Sequence, residues 1–454
     1  MGMHRLHRKV LPIMFVGCWG VMVAAPLLCA AGSSSVPSEI QRLYDKKDYR
    51  KTIEEVAKLT QEKAAVSDVR RLKIRSLLRL GNPKDALEEY DKLEASLKQD
   101  DVPLLREVSL GFIVVMMKDM REQMRGAAYT ALKEIDSDDA VSYFEDGLSD
   151  GSSLVRFLSV EGLGRLDTGR RSTKLRSAIE DPAGSVKALV IKVLGRTGDH
   201  AMIPLLESAT KDELTTVRIA AYGALVRLGR QGAWEQLRQA VEAANPEDKS
   251  DAIRAIAELR DQRGAPLMMD LLTYKQPSVR AAAARGLGHL EKQEARKSIE
   301  PLLKDPVPAV RVSAAASLAD LGGEDSVPAL TQALNDGGVT VRAAVVAALL
   351  QLGQPYEAVA STVRAMAQLN DTGGRTSAAF ALGKATKANI NGAVEVLVNL
   401  AADPLPGPKI VAIRSLGHIG GREVLPVLKD GLHDTNEAVR STAGGAVLHL
   451  LQKK

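Results

Sequence analysis

The sequence is poor in aromatic residues, and this shortage restricts the folds that the protein can adopt. Aromatic residues make up 3% of the 454 residues, whereas hydrophobic residues make up 45%. A core of small aliphatic side chains fits closely stacked helices better than a β-sandwich or a deep ligand pocket. Alternating β-branched runs bounded by hairpin turns are also absent. The composition therefore predicts an all-α protein.

Cysteine is almost missing, and both cysteines, Cys18 and Cys29, lie in an N-terminal segment that is typical of export signals. Three basic residues precede an apolar stretch over residues 10–29, and small residues follow at 30–32. We predict that residues 1–31 are a secretory signal peptide cleaved near Ala31, with an uncleaved membrane anchor as the alternative. Export would place the protein in the periplasm or elsewhere in the cell envelope.

Removal of residues 1–31 changes the charge and the thiol content of the chain. The formal net charge of the full sequence is +5, and three of its 61 basic residues lie in the segment, so the processed chain carries about +2. That small excess gives little support to nucleic-acid binding. The processed chain would also have no thiol, and so no disulfide or cysteine-bound metal.

A period of about 31 residues organises most of the remaining sequence. A basic residue, here called the anchor, recurs at this period, with longer spacings only before Arg375 and Lys409. Positions −1, 3, 7 and 10 from each anchor are small or apolar, which is one face of an α-helix. A second apolar helix, the companion helix, fills the rest of each unit. The anchors are Arg125, Arg156, Lys187, Arg218, Lys249, Arg280, Arg311, Arg342, Arg375, Lys409 and Arg440.

Segments such as DPVPAVRVSAAASLADLG (305–322) and DGGVTVRAAVVAALLQLG (336–353) resemble HEAT repeats of the bacterial type named after phycobilisome lyases. The resemblance covers residues 103–454 and implies an α-α superhelix, a HEAT-like solenoid of about eleven helix pairs. In this family an Asp six residues before the anchor caps the anchor helix and meets basic side chains in a ladder between repeats. The implied ladder residues are Asp150, Arg156, Asp181, Lys187, Asp212, Arg218, Asp305, Arg311, Asp336, Arg342, Asp434 and Arg440.

Residues 36–100 are more charged and follow a different pattern. LYDKKDYRKTIEEV (43–56) is echoed about 34 residues later by LLRLGNPKDALEEY (77–90), which resembles a tetratricopeptide repeat. Lys47 stands where that repeat usually has glycine. We interpret this region as a short tetratricopeptide-like helical segment that caps one end of the solenoid.

A search for reactive residues finds no recognisable site. The sequence has no P-loop, GxSxG elbow, HxxxH or HExxH, so the iron-binding HEAT hydroxylases are not matched. His418 and His449 share one register, nine past their anchors. Neighbouring helices lie about 8–10 Å apart, which disfavours a shared zinc ion. We interpret these histidines as chance placements on a solvated face, and predict no catalytic, cofactor-binding or metal-binding residue.

Basic residues recur five and nine positions past the anchors, on the exposed side of the anchor helices. If these helices line the concave surface, a discontinuous basic stripe follows the groove and suits an acidic protein segment. The alternative is that solvated helix faces are simply charged, and Glu134, Glu161, Glu258 and Asp320 interrupt the stripe. The stripe residues are Arg165, Lys192, Arg196, Arg227, Arg254, Arg285, Lys384 and Arg414.

These patterns favour an exported, non-catalytic scaffold that binds protein partners. The alternative is an enzyme or enzyme subunit resembling bilin lyases of the same repeat family. No cofactor and no nucleic-acid partner are expected, and membrane contact is expected only through an uncleaved N-terminus. The three prolines of DPLPGPK (403–409) predict a stiff exposed loop, which is either a tolerated insertion or a further contact for partners.

Overall fold

The structure, a computed structural model, describes residues 36–453 of the chain. This range is helical and contains no β-strand, as the composition predicts. No helix between residues 36 and 453 combines the length and the apolar character needed to cross a membrane. The predicted signal peptide, residues 1–31, lies outside the described residues.

Five helices form the N-terminal segment, and they pack as helical hairpins. They are α1 (Ser38–Asp45), α2 (Tyr49–Ala57), α3 (Gln61–Ala64), α4 (Ser67–Arg79) and α5 (Pro83–Leu97). Helices α1 and α2 pack against each other, as do α4 and α5, and α2 contacts α4. Lys47 and Gly81, which are equivalent positions of the two echoed segments, both have left-handed backbones, with φ of 61° and 79°. Lys47 therefore takes the conformation for which glycine is usual at this turn.

The rest of the chain alternates between anchor and companion helices. In chain order the helices are α6 (Val102–Met116), α7 (Glu122–Leu132), α8 (Val141–Gly147), α9 (Ser153–Arg165), α10 (Asp167–Arg170), α11 (Thr173–Ser177), α12 (Gly184–Gly195), α13 (Ile203–Ala209), α14 (Thr215–Arg227), α15 (Gly232–Glu242), α16 (Pro246–Leu259), α17 (Gly264–Asp270), α18 (Pro277–His289), α19 (Arg296–Ile299), α20 (Pro308–Leu321), α21 (Val327–Ala333), α22 (Val339–Gln351), α23 (Ala360–Ala367), α24 (Thr372–Leu382), α25 (Ile390–Ala401), α26 (Pro406–Ile419), α27 (Leu425–Leu432) and α28 (Glu437–Gln452). Short 3₁₀ turns accompany the companion helices at Asp138–Ala140, Ala178–Glu180, His200–Met202, Leu271–Thr273, Gln293–Ala295, Glu300–Lys304, Tyr356–Ala358 and Arg422–Val424.

The helices that carry the anchors form one continuous row in which each packs against the next. They are α7, α9, α12, α14, α16, α18, α20, α22, α24, α26 and α28. The position seven past the anchor is buried, as at Leu163, Leu287 and Leu318. The small residue three past, such as Ala283, is also buried and lets neighbouring backbones approach. The sequence period is therefore the period at which the stacked anchor helices bury their apolar faces.

A ladder of carboxylates and basic side chains joins successive units along this row. The anchor guanidinium of Arg156 meets Asp181 of the next unit, with Nε to Oδ2 at 2.6 Å and Nη2 to Oδ1 at 3.0 Å. Asp181 also accepts a hydrogen bond from the backbone N–H of Ala183, near the start of the next anchor helix. The same contact joins Arg125–Asp150, Lys187–Asp212, Arg280–Asp305, Arg311–Asp336, Arg375–Asp403 and Lys409–Asp434.

Three anchors, Arg218, Lys249 and Arg342, have no carboxylate partner within residues 36–453. The guanidinium of Arg342 donates only to the backbone carbonyls of Asp336 and Gly337. Every ladder arginine makes this same pair of bonds to its own helix start. Arg218 and Arg342 thus keep the bonds to the start of their own helix but lack the ion pair with the next unit.

The row of anchor helices closes on itself, because α28 packs against both α6 and α7. Two adjacent glycines of α28 permit this approach. A Cβ atom on Gly444 would lie 2.5 Å from the carbonyl oxygen of Ser109, and one on Gly445 would lie 2.8 Å from that of Ala131. Arg121 also binds both Asp119 and Glu437. The solenoid is therefore a closed ring of helices and has no exposed end at α7.

The N-terminal segment lies beside this closure. Lys429 of α27 binds the carboxylates of Glu94 and Asp100, the second at 2.9 Å, and Tyr90 donates its hydroxyl to Asp100 at 3.0 Å. The N-terminal segment does not cap an open end of the solenoid, because α28 occupies that end. The segment instead contacts the first and last units together.

The predicted exposed proline loop at residues 403–409 is only partly a loop: Pro404 lies in an exposed bend, but the other two prolines belong to a helix. Pro406 begins α26 and Pro408 is buried in its first turn, where proline fits because the N–H groups there lack intrahelical partners. The extra residues of this unit accompany a long companion helix, α25, which has 12 residues. The rung between Arg375 and Asp403 forms in spite of the insertion, across 28 residues instead of the 25 between Arg156 and Asp181.

Candidate functional site

The side chains nine past the anchors form a row along the C-terminal ends of the anchor helices. Lys192 of α12 reaches Glu258 of α16, two units away, with Nζ to Oε1 at 2.9 Å. Side chains on alternate helices can meet only where the row is concave. The anchor helices therefore line the concave face, and the row reads Glu134, Arg165, Arg196, Arg227, Glu258, His289, Asp320, Gln351, Lys384, His418 and His449.

Three basic side chains of the predicted stripe gather around one residue, Glu258, and we call Lys192, Arg196, Arg227 and Glu258 the cationic cluster. Arg196 Nη2 lies 3.6 Å from Glu258 Oε2, and Arg227 Nη2 donates to the Glu258 backbone carbonyl at 2.6 Å. Lys192 and Arg196 thus share the Glu258 carboxylate, whereas Arg227 binds only the Glu258 backbone. The cluster keeps a local excess of positive charge on the concave face.

The cluster brings two guanidinium groups close enough to influence each other. Burial lowers the pKa of Arg227, and the positive charge of Arg196 lowers it further. Glu258 acts in the opposite direction but does not cancel these two effects. A second anion at this place would relieve the repulsion, so the cluster is electrostatically suited to an acidic ligand.

The remaining stripe residues do not form a continuous basic surface. Arg254 pairs with Asp251 in its own helix, Arg285 lies 3.1 Å from Asp320, and Arg414 lies 3.7 Å from Glu134. Two of the acidic residues that interrupt the pattern in the sequence, Asp320 and Glu134, are thus partners of these cations. Arg165 and Lys384 are exposed and make no ion pair within the described residues. The positive surface is therefore concentrated on α9, α12 and α14.

A second group of polar residues lies where the ring closes, and we call Glu134, His418 and His449 the closure cluster. His418 Nε2 is 3.0 Å from Glu134 Oε2, and the two imidazole centroids are 4.6 Å apart. The spacing between neighbouring helix axes disfavours contact between the two histidines, but their side chains extend toward each other. Sequence reasoning missed Glu134 as their neighbour, although it is also nine past its anchor, because a linear repeat places it ten units from His449.

Burial and charge shape the closure cluster electrostatically. Burial of the Glu134 side chain opposes ionisation, but the hydrogen bond from His418 and the charges of His418, Arg414 and His449 outweigh it. The pKa of Glu134 therefore lies below its usual value. Burial, followed by the charge of His418, lowers the pKa of His449 and favours its neutral form. The cluster combines a carboxylate with a neutral imidazole.

Comparison with known protein families finds HEAT repeats in most of the solenoid. Four overlapping matches cover residues 172–248, 234–307, 297–383 and 366–447. Together they span residues 172–447, which is more than half of the chain. The matched region contains α11 to α27 in full and most of α28. No curated protein matches the sequence significantly.

Three of the solved structures that match the chain are as follows. Human deoxyhypusine hydroxylase in complex with glycerol is 19% identical, with coverage of 55% of this chain and 98% of that chain and a TM-score of 0.31. The complex of CpcE and CpcF of phycocyanin lyase from Nostoc sp. PCC7120 is 21% identical, covering 49% and 91%, with a TM-score of 0.33. Kap121p bound to Nup53p is 14% identical, covering 90% and 56%, with a TM-score of 0.37. These similarities concern the fold alone.

Proposed function

Because this chain belongs to the HEAT-repeat family, whose solenoids generally bind proteins, we propose that it is an exported, non-catalytic scaffold that holds a protein partner in the cell envelope. The observation that carries the proposal is the cationic cluster. It places Lys192 and Arg196 against the Glu258 carboxylate and Arg227 against the Glu258 backbone carbonyl, all on the concave face. An extended surface of this kind binds a chain segment without needing a deep pocket.

The spacing of the cations indicates what kind of segment fits. Arg165, Arg196 and Arg227 occupy one register on three successive helices, α9, α12 and α14, which lie about 8–10 Å apart. An extended chain in the polyproline II conformation rises about 3.1 Å per residue with three residues per turn, so every third side chain faces the same side at intervals of about 9 Å. The preferred partner is therefore an extended segment with an acidic residue at every third position.

Fluorescence anisotropy with labelled peptides tests this proposal directly. Two nine-residue peptides of equal composition carry three Glu residues, placed either at every third position or consecutively. We expect the evenly spaced peptide to bind more tightly, and its affinity to fall as salt concentration rises. The R196E/R227E variant should weaken binding by about tenfold or more, because each lost charge contact contributes on the order of 1 kcal/mol.

The matched control reverses two charges elsewhere. Lys297 and Lys304 are exposed, lie on a companion element and form no ion pair within residues 36–453. K297E/K304E changes the net charge by the same amount and should leave peptide binding unchanged. Equal loss in both variants would show a general charge effect, and no loss in R196E/R227E would exclude the cationic cluster as the binding surface.

Export is tested separately by cell fractionation. The full chain should appear in the envelope fraction of the native cell, with an N-terminus that begins near residue 32 if the segment is cleaved. A version that lacks residues 2–31 should remain in the cytoplasm. Detection of the full chain in the cytoplasm alone would contradict the proposed location.

A further inference from the structure

The closure cluster gathers three metal-binding side chains from units that are far apart in sequence. Glu134 follows α7 in the first unit, whereas His418 and His449 lie on α26 and α28 in the last two. Each is nine residues past its anchor, so ring closure places three equivalent positions side by side. One ligand atom from each residue lies within 4.8 Å of the other two, and no other such group of three exists among residues 36–453.

The hydrogen bonds of the cluster indicate which atom of each residue could serve as a metal ligand. His449 Nδ1 lies 3.3 Å from the backbone carbonyl oxygen of Glu134. Donation of the Nδ1 proton to this carbonyl leaves Nε2 as the unprotonated nitrogen, which is the common arrangement for a metal-binding histidine. His418 Nε2 lies 3.0 Å from Glu134 Oε2 and donates its proton to that carboxylate when no metal is bound, so an ion that takes both atoms as ligands releases this proton to solvent. The Glu134 side chain is largely buried, which holds its carboxylate in place.

We propose that Glu134, His418 and His449 bind one divalent transition-metal ion, with Zn²⁺ as the first candidate, and that this ion joins the first unit of the ring to the last two. Two imidazole nitrogens and one carboxylate oxygen suit zinc and related ions, whereas Mg²⁺ and Ca²⁺ prefer sites made of oxygen ligands. Bond lengths of about 2.0–2.2 Å require the three donor atoms to approach one another to roughly 3.3 Å.

Arg414 sets a limit on the affinity of the site. Its guanidinium Nε lies 3.7 Å from Glu134 Oε1 and competes with a cation for the same carboxylate. Replacement of Arg414 by Gln should therefore tighten metal binding while leaving all three ligands present. This variant separates a site that depends on the Glu134 carboxylate from adventitious binding to histidine alone.

Isothermal titration calorimetry of the chelator-treated full chain with Zn²⁺ tests the site. We expect binding of one equivalent, and a melting temperature that rises with zinc concentration because the ion binds the folded ring. H418Q and H449Q should each weaken binding by about tenfold or more, and R414Q should strengthen it. Mg²⁺ should give neither heat nor a thermal shift. Substitution with Co²⁺ should give a visible absorption spectrum in the wild type that is lost in H418Q/H449Q.

His289 provides the matched control. It occupies the same register on α18, but it belongs to no group of three potential ligands among the described residues. H289Q should bind Zn²⁺ like the wild type. Circular dichroism of each metal-free variant identifies any that fail to fold. If either H418Q or H449Q does not fold, zinc binding by the other variant tests the site. Absence of saturable binding, or equal binding by the wild type and H418Q/H449Q, would overturn the proposal.

Discussion

Gly445 of α28 lies against the backbone of Ala131 in α7, so that a Cβ atom on Gly445 would be 2.8 Å from the Ala131 carbonyl oxygen. Gly445 is five residues past its anchor, and Gly223 of α14 occupies the same register. A Cβ atom on Gly223 would meet only the Cβ of Ala255, at an ordinary distance of 3.7 Å. Close packing therefore requires glycine at the closure but not in the middle of the row.

This pair predicts opposite effects of the same substitution. Alanine at Gly223 should raise the free energy of unfolding by about 0.5–1 kcal/mol through helix propensity. Alanine at Gly445 should lower it by about 1–3 kcal/mol, because the added methyl group forces α28 away from α7. Urea unfolding measures both variants, and small-angle scattering should show a larger radius of gyration for G445A. Similar behaviour of the two variants would contradict the close approach.

The ladder predicts unequal effects at two neighbouring anchors. Arg311 binds Asp336 of the next unit, with Nε to Oδ2 at 2.7 Å, whereas Arg342 bonds only to backbone carbonyls within residues 36–453. R311M should lower the free energy of unfolding by about 1–3 kcal/mol, since it leaves the Asp336 carboxylate without its cation. R342M loses only the local bonds and should cost about 1 kcal/mol or less. Equal losses would show that the contact between units contributes nothing.

The same ladder makes stability depend on pH in the acid range. At Asp181, burial opposes ionisation, but hydrogen bonds from Arg156 and the Ala183 N–H outweigh it and hold the pKa below its usual value. The pKa is lowered likewise at Asp150, Asp212, Asp305, Asp336 and Asp434. Carboxylates of this kind stabilise the fold above their unfolded pKa of about 4 and lose that contribution as the pH falls through the folded value.

The ladder's contribution to the urea midpoint should therefore be nearly constant from pH 7 to about 5 and fall steeply below about pH 4. Circular dichroism at a series of pH values measures it. The D181N variant should be less stable at neutral pH and show a shallower loss in acid, because one titrating group is gone. A wild-type midpoint that stays level down to pH 3 would contradict the role of the ladder.

Lys429 predicts how firmly the N-terminal segment is held against the ring. It binds Glu94 and Asp100 together and is mostly shielded from solvent. K429M should leave two carboxylates without their cation and speed hydrogen–deuterium exchange in α5 and the residues before α6. K297M removes an exposed lysine that forms no ion pair in the described part of the chain, and should leave this exchange unchanged. Unaltered exchange in K429M would show that apolar packing alone holds the segment.

Much of the fold was predictable because each unit is local. The anchor, the capping Asp and the apolar columns lie within one or two repeat units, so periodicity exposes them. The contact between Arg156 and Asp181 spans only 25 residues and repeats with the period. The charges of the concave face were visible too, but their pairing was not. Glu258 interrupts the basic pattern in sequence, and in the structure it is the carboxylate that Lys192 and Arg196 share.

Ring closure and the sites that depend on it were decided only by the tertiary structure. The rotation between neighbouring units is set by small differences in packing, and these differences add up over eleven units before α28 meets α7. The sequence period reveals the repeat but not the total rotation over all units, so no local pattern predicts that His449 lies beside Glu134. The sequence by itself determined a helical repeat with a ladder of ion pairs. Accumulated curvature determined that the repeat closes, because contacts between residues 316 positions apart depend on every unit between them.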